Sequence, residues 1–198
     1  MAVVVASGHV SDATLESTRR RLTAKQADTV DRLERAAVDL LNRDGFSGLT
    51  VRRVAAEAGV GAATAYTYFS SKEHLVAEVF WRRLAGAPPA PHQSEDSATR
   101  VIDVLQHIAL LVADEPEFAG AVTSALLGKD PDVEVLRQRI GRDIRERLTA
   151  ALGPQVDDDV IDSLEMLYSG ALVRVGMGYA SYDGIAQRLE RSARLILG

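Results

Sequence analysis

Residues 49–75 read LTVRRVAAEAGVGAATAYTYFSSKEHL, and this stretch decides the fold. Val51, Val54, Ala55 and Ala58 recur at spacings of three and four, so about 51–58 forms a short helix with one apolar face. Thr50 stands just before it, where a hydroxyl oxygen accepts one of the free first-turn N–H groups. Ala58-Gly59-Val60 breaks the helix, with Gly59 where the chain needs a left-handed conformation. A third helix covers about 62–68. Ser70 or Ser71 then caps a fourth, over 72–85, with Leu75, Val76, Val79, Phe80 and Leu84 on one face. Two short helices around a tight glycine turn have the geometry of a helix-turn-helix. Small Ala55 and Ala58 let the helices cross closely, and the third helix projects outward toward a major groove about 12 Å wide. The bland alternative is a plain helical packing unit; the length of the motif favours DNA binding.

Upstream, Thr23-x-x-Gln26 has capping-box spacing and starts a first helix over about 24–44. Its apolar face is Val30, Leu33, Ala37, Leu40 and Leu41, and Gly45 stops it. Residues 1–18 have no repeating apolar face and are expected to lack regular structure. Arg19, Arg20 and Arg21, with Lys25, make a basic arm that either tracks a phosphate backbone or enters a minor groove. A solvated charge cluster is the alternative, and the neighbouring helix-turn-helix weighs against it.

Downstream, three prolines within 88–91 end the fourth helix and place a domain boundary. This divides the chain into an arm (1–22), a head (23–85) and a helical body (86–198). The body reads as five more helices, over about 95–114, 116–127, 131–152, 157–178 and 183–197. Pro116 and Pro131 suit first turns, Gly128 and Gly153 suit stops, and Asp157, Asp158 and Asp159 suit the positive end of a helix dipole. The expected fold is all-α, with nine helices.

Charge follows the same division. The net charge is −5, but residues 1–85 hold 12 basic and 10 acidic side chains while 86–198 hold 11 and 18. A weakly basic head on an acidic body fits a chain that meets DNA at one end. There is no cysteine, hence no disulfide or thiolate site. No apolar run reaches the ~18 residues of a membrane span, and the apolar opening Met1–Ala6 lacks a basic flank. These features point to a cytoplasmic protein.

The segment 24–80 resembles the tetracycline-repressor (TetR) family of transcriptional regulators. The resemblance rests on Ala36-Ala37, Leu40-Leu41, Gly45-Phe46, Thr50-Val51, Val54-Ala55, Ala58-Gly59-Val60, Thr64, Tyr66, Tyr68-Phe69, Lys72 and Leu75, in unbroken spacing. It implies that Thr50 donates to a phosphate while capping its helix, with Arg52 beside it. It places Thr64, Tyr66, Thr67 and Tyr68 on the recognition helix, Lys72 on a backbone phosphate and Phe69 in the core. Gly61-Ala62-Ala63 departs from the usual start, which often carries a serine cap and polar readers. Base reading then falls to thymine-methyl contacts by Ala62 or Ala63, to Thr64 or Thr67, or to DNA shape.

The resemblance further implies a homodimeric repressor of double-stranded operator DNA, released by a small molecule held in the body, without a cofactor. Beyond about residue 86 it offers no residue match. Leu105, Ile108, Phe118, Val122, Leu126, Ile140, Ile144, Met166 and Tyr168 are candidate lining for a hydrophobic or amphipathic effector, with Gln106 as a polar neighbour. For any one of them ordinary helical core is the favoured reading, and His107 reads as a half-exposed histidine. The last two helices are the expected dimer interface: Leu164, Leu167, Ala171, Arg174, Val175 and Gly178 on one, Ile185, Leu189 and Ile196 on the other. Arg174 alternatively pairs with an anionic ligand. An enzyme finds no support, because the four histidines lack metal-ligand spacing and no phosphate-binding glycine loop exists. A helical adaptor whose head binds a protein is the other rival.

Overall fold

The computed structural model describes residues 23–90, 94, 96–179 and 182–198. The described residues form nine helices: α1 (Ala24–Gly48), α2 (Val51–Glu57), α3 (Ala62–Tyr68), α4 (Lys72–Gly86), α5 (Ser97–Leu110), α6 (Pro116–Leu127), α7 (Pro131–Leu152), α8 (Asp158–Gly176) and α9 (Tyr182–Leu197). The all-α expectation holds. No helix among the described residues is long and apolar enough to cross a membrane. Arg19, Arg20 and Arg21 lie outside the described residues.

The ends of the helices follow local chemistry. Gln26 Oε1 accepts from the backbone N–H of Thr23 at 2.8 Å, the return arm of a capping box. Gly45 takes φ +68°, so the regular course of α1 breaks there even though helical turns resume to Gly48. Asp96, Asp130 and Asp157 cap α5, α7 and α8, each accepting first-turn amides. The fifth helix is shorter than its pattern predicts, ending at Leu110 rather than near 114. Beyond it Leu111, Ala113 and Glu115 donate to Ile108 O, Leu110 O and Val112 O in tight i→i−3 turns, and Pro116 keeps Glu115 out of the helical region at φ −128°, ψ 74°. The chain therefore turns through 111–114 before α6 begins.

Carbonyls at the other ends are satisfied by arginines from distant helices. Arg147 of α7 donates to Leu84 O at 2.8 Å, at the end of α4. Arg137 donates to Leu126 O and Gly128 O, both at 2.8 Å, closing α6. Arg100 of α5 donates to Ala151 O at 2.8 Å, closing α7. Each meets a carbonyl at a helix end, where internal donors run out, and Leu84 O also accepts Ala87 N–H at 3.2 Å.

In the head, α1 packs on α2 and α4, and α2 on α3. In the body, α5 packs on α7 and α9, and α8 on α6 and α9. Helix α4 joins the two, against α1 on one side and α6 and α7 on the other, and α6 also reaches α1. A single buried hydrophobic cluster runs from Val30 to Ala193. The prolines after α4 thus interrupt the chain without dividing the core. Inside α4, fully buried Glu78 meets Arg82 at 3.2 Å, and Arg82 also reaches Glu34 (3.0 Å) and Asp31 (3.4 Å) of α1. One guanidinium thus serves three carboxylates, and burial pushes the Glu34 carboxyl up to about 8.

Candidate nucleic-acid interface

Thr50 begins the second helix with its hydroxyl oxygen accepting Arg53 N–H at 3.2 Å. The residue is exposed, and the hydroxyl keeps its hydrogen to donate outward. The neighbouring arginines then divide. Arg53 folds back on Gly48 O and Asp44, whereas Arg52 is exposed with no partner among the described residues. A guanidinium beside a helix start and free of internal pairing is suited to a phosphate.

The turn between α2 and α3 depends on Gly59, at φ +64°, where an L side chain would be strained even though nothing crowds the position. Arg32 of α1 fixes this turn by donating to Ala58 O at 3.2 Å, while its Nε sits 3.3 Å from Asp28. That contact spans 26 residues and carries no local sequence signal.

Helix α3 has two unlike faces. Ala65 and Tyr68 point inward, next to buried Phe69, and the Tyr68 and Phe69 rings lie 6.5 Å apart. Gly61, Ala63, Thr64, Tyr66 and Thr67 are exposed and Ala62 is half-buried, with Tyr66 at 49%. Tyr68 is thus packed into the core, with 9% of its surface exposed. The spacing Ala65, Tyr68, Phe69 already marks it as inward. Thr67 donates its hydroxyl to Ala63 O at 3.0 Å, which leaves its methyl and lone pairs outward. The outer face thus presents methyl groups, one free threonine hydroxyl and one tyrosine.

Lys72 is also placed differently from expectation. Its Nζ donates to Phe46 O at 2.9 Å and sits 4.1 Å from the centre of the Phe46 ring. The ammonium is half-buried and holds the start of α4 to the tail of α1, so in this structure it is engaged internally. Lys25, on the first turn of α1, is exposed.

This head matches the family model "Bacterial regulatory proteins, tetR family" over residues 34–79, from mid-α1 into α4. Similarity to curated relatives extends over almost the whole chain. An uncharacterized HTH-type transcriptional regulator of Mycobacterium tuberculosis is 43% identical over 199 residues, covering 94% of this chain and 93% of the relative. The chain belongs to the TetR family. It is accordingly a DNA-binding transcriptional regulator with a helix-turn-helix, and not an enzyme. The HTH-type transcriptional repressor KstR of Rhodococcus jostii is 24% identical over 184 residues, covering 87% of this chain and 84% of that protein. A TetR transcriptional regulator from Rhodococcus sp. RHA1 superposes with a TM-score of 0.72 at 22% identity, over 87% of this chain and 97% of that one, which establishes the shared fold.

In this TetR-family chain the expected effector-lining residues fall mostly inside packed core. Leu105, Ile108, Phe118, Val122, Ile140, Ile144 and Tyr168 are buried, and Gln106 and Leu126 are half-buried. Met166 is 68% exposed, so it leaves that set. It lines a groove of about 370 Å³ between α8 and α9, with Leu167, Gly170, Ala171, Arg174, Ile185, Arg188, Leu189 and Ser192. None of the other nine lines this groove or two further concavities, one of about 670 Å³ between α1 and α4 and one of about 270 Å³ beside Pro89 and Val104.

The expected dimer residues divide as well. Leu164, Ala171, Ile185 and Leu189 are buried within one chain, because α8 and α9 pack on each other and on their neighbours. Leu167, Val175 and Ile196 are half-buried, and Arg174 and Gly178 are exposed. The large apolar side chains that do reach solvent here are Met166, Met177, Tyr179 and Leu195, the last at 85%. Sequence periodicity finds the apolar face of each helix but not which part of it the same chain covers.

Proposed function

We propose that this protein is a homodimeric repressor that leaves a palindromic operator when a small apolar or amphipathic effector binds its body. The observation that carries the reading is the outward face of α3. Ala63, Thr64, Tyr66 and Thr67 are exposed there beside unpaired Arg52 and the donating hydroxyl of Thr50. Arg52 and Thr50 would hold phosphates and set the register, Tyr66 would reach the backbone or a base edge, and the small methyl-bearing side chains would read thymines.

Two such faces must meet half-sites about 34 Å apart, which calls for a dimer. The exposed apolar side chains of α8 and α9, with the groove between them, support this region as the place where two copies meet. The packed interior of the body supports an effector that enters by shifting helices, and so selects a conformation with the wrong spacing between heads.

The test is selection of genomic fragments by the wild-type protein, followed by titration of a selected fragment at two salt concentrations. Wild type is compared with an Arg52→Ala/Tyr66→Ala double variant. A palindromic fragment, lost by a double variant that melts like wild type, is the expected result. Failure of any fragment to compete with bulk DNA refutes operator-specific repression. Sedimentation of wild type beside Leu195→Glu checks the dimer, and a sedimentation coefficient typical of a monomer in both would refute it.

A further inference from the structure

Where the third helix hands over to the fourth, three consecutive residues are held from both sides. On the head side, Lys72 is bound to Phe46 O. On the body side, Ser70 Oγ donates to Asp132 Oδ2 at 2.5 Å and Ser71 Oγ donates to Asp130 Oδ2 at 2.6 Å. The second contact joins two helix caps. Asp130 caps α7 with its other oxygen, accepting Asp132 N–H at 2.8 Å and Val133 N–H at 3.3 Å. Ser71 caps α4, accepting His74 N–H at 2.9 Å. Buried His74 completes the junction: its Nδ1 accepts Ser70 N–H at 3.3 Å and lies 3.9 Å from Asp132 Oδ2.

We propose that Asp130 and Asp132 are positioning residues for DNA recognition, holding the end of the recognition helix through Ser71 and Ser70 and carrying to it any displacement of α7. The inference rests on reading α3 as the recognition helix. Hydroxyl-to-carboxylate hydrogen bonds are short, directional and stronger than neutral ones, so these two fix both the place and the angle of the junction. Tyr68 and Phe69, immediately before it, lock α3 to the core, so a shift of residues 70–71 turns the outer face of α3 as a unit. Helix α7 has 22 residues, a rod of about 33 Å. It packs on α4, α5, α6 and α8, so rearrangement deep in the body reaches its first turn. The two sides of the latch lie far apart in sequence, Ser70 and Asp132 by 62 residues and Ser71 and Asp130 by 59.

Asp132, which also lies 3.9 Å from His74 Nδ1, is the target, because Asp130 caps its own helix as well. The experiment compares Asp132→Ala with Asp132→Asn, which keeps an acceptor oxygen but no charge. Each is assayed for binding to the selected fragment and to a fluorescein-labelled duplex of random sequence. Backbone hydrogen exchange across residues 66–72 is followed without DNA. Asp132→Ala is expected to bind the selected fragment roughly tenfold more weakly, the scale of one lost hydrogen bond to a charged group. Random-duplex binding and its salt dependence stay unchanged, and exchange across 66–72 quickens. Asp132→Asn, which keeps a neutral hydrogen bond, should fall between wild type and Asp132→Ala. Unchanged exchange in Asp132→Ala overturns the proposal whatever the DNA result. So does tighter binding by both variants to both duplexes, which would mean that Asp132 acts only by repelling phosphate. Ser70→Ala removes the same hydrogen bond from the head side and decides the matter if Asp132→Ala melts early. If no fragment is selected, operator-specific repression fails, but the exchange measurement still decides the latch.

Discussion

Helices α3 and α4 are neighbours in sequence and opposites in physics. Seven residues make α3, and only Ala65 and Tyr68 of them are buried. Fifteen residues make α4, and nine are buried, including His74 and Glu78. A helix with one packed edge has its surface available for a partner. A helix packed on nearly every side has none, and serves instead to join what lies around it. An exposed helix and a connecting one are thus separated by three residues of chain, and substitutions in the two should differ in kind.

The largest stability effect is expected in α4. Phe80→Ala removes a ring that is 2% exposed and should cost about 3–5 kcal/mol, read from urea unfolding. A loss comparable to a surface substitution would mean that α4 is not the shared core helix described here.

Next comes the buried carboxylate cluster between α4 and α1. Glu34 holds its proton up to about pH 8 in the folded protein, whereas its ordinary value is 4.5. Between those values the folded state binds a proton that the unfolded chain has released. Stability therefore falls as pH rises from about 5 to 8, by at most about 1.4 kcal/mol per pH unit, and levels off above. Glu34→Gln should flatten that slope and gain on wild type toward pH 9. An unaltered slope in melting curves across this range would place the proton elsewhere.

The turn that sets α3 comes third. Gly59→Ala forces an L side chain to φ +64° and should cost about 1–2 kcal/mol in thermal or urea unfolding. It should also weaken DNA binding, because the angle between α2 and α3 shifts. Thr50→Ala loses the cap on α2, worth about 1 kcal/mol, with a further loss in DNA affinity from the missing hydroxyl.

The smallest stability effect, on the order of 0.5 kcal/mol or less, belongs to Arg52→Ala, which nonetheless should lower DNA affinity and reduce the salt slope by about 1. Arg53→Ala should do the reverse, lowering stability through the lost contacts to Asp44 and Gly48 while leaving the salt slope alone. Equal behaviour of the two arginines would erase the distinction between them.

What the sequence discloses and what it hides can be traced to distance along the chain. The helix-turn-helix is legible because its determinants are local: a cap at Thr50, a left-handed glycine at 59, apolar positions spaced by three and four. The starts of α7 at Asp130-Pro131 and of α8 at Asp157 are legible for the same reason. Lys72 looks free for a phosphate because its partner, Phe46, lies 26 residues upstream. The arginines that close α4, α6 and α7 look like solvated charges because the carbonyls they meet belong, for Arg147 and Arg100, to helices 51 or more residues away. The body is hardest to read. Leu164, Ile185 and Leu189 have the apolar periodicity of an interface, but α8 and α9 cover them within one chain.

The continuous core through α4 also bears on protein engineering. Sensors are often assembled by joining the reading head of one regulator to the sensing body of another, with the cut in a loop. Here the loop after Gly86 is the obvious place, yet a cut there would deliver α4 with its α6- and α7-facing side stripped of the surface it evolved against. A chimera that keeps residues 23–86 needs a host body whose helices present a shape complementary to α4, and acceptors at the sites of Asp130 and Asp132. The interchangeable part of this molecule is therefore smaller than its domain: the exposed face of α3, which can be rewritten in place.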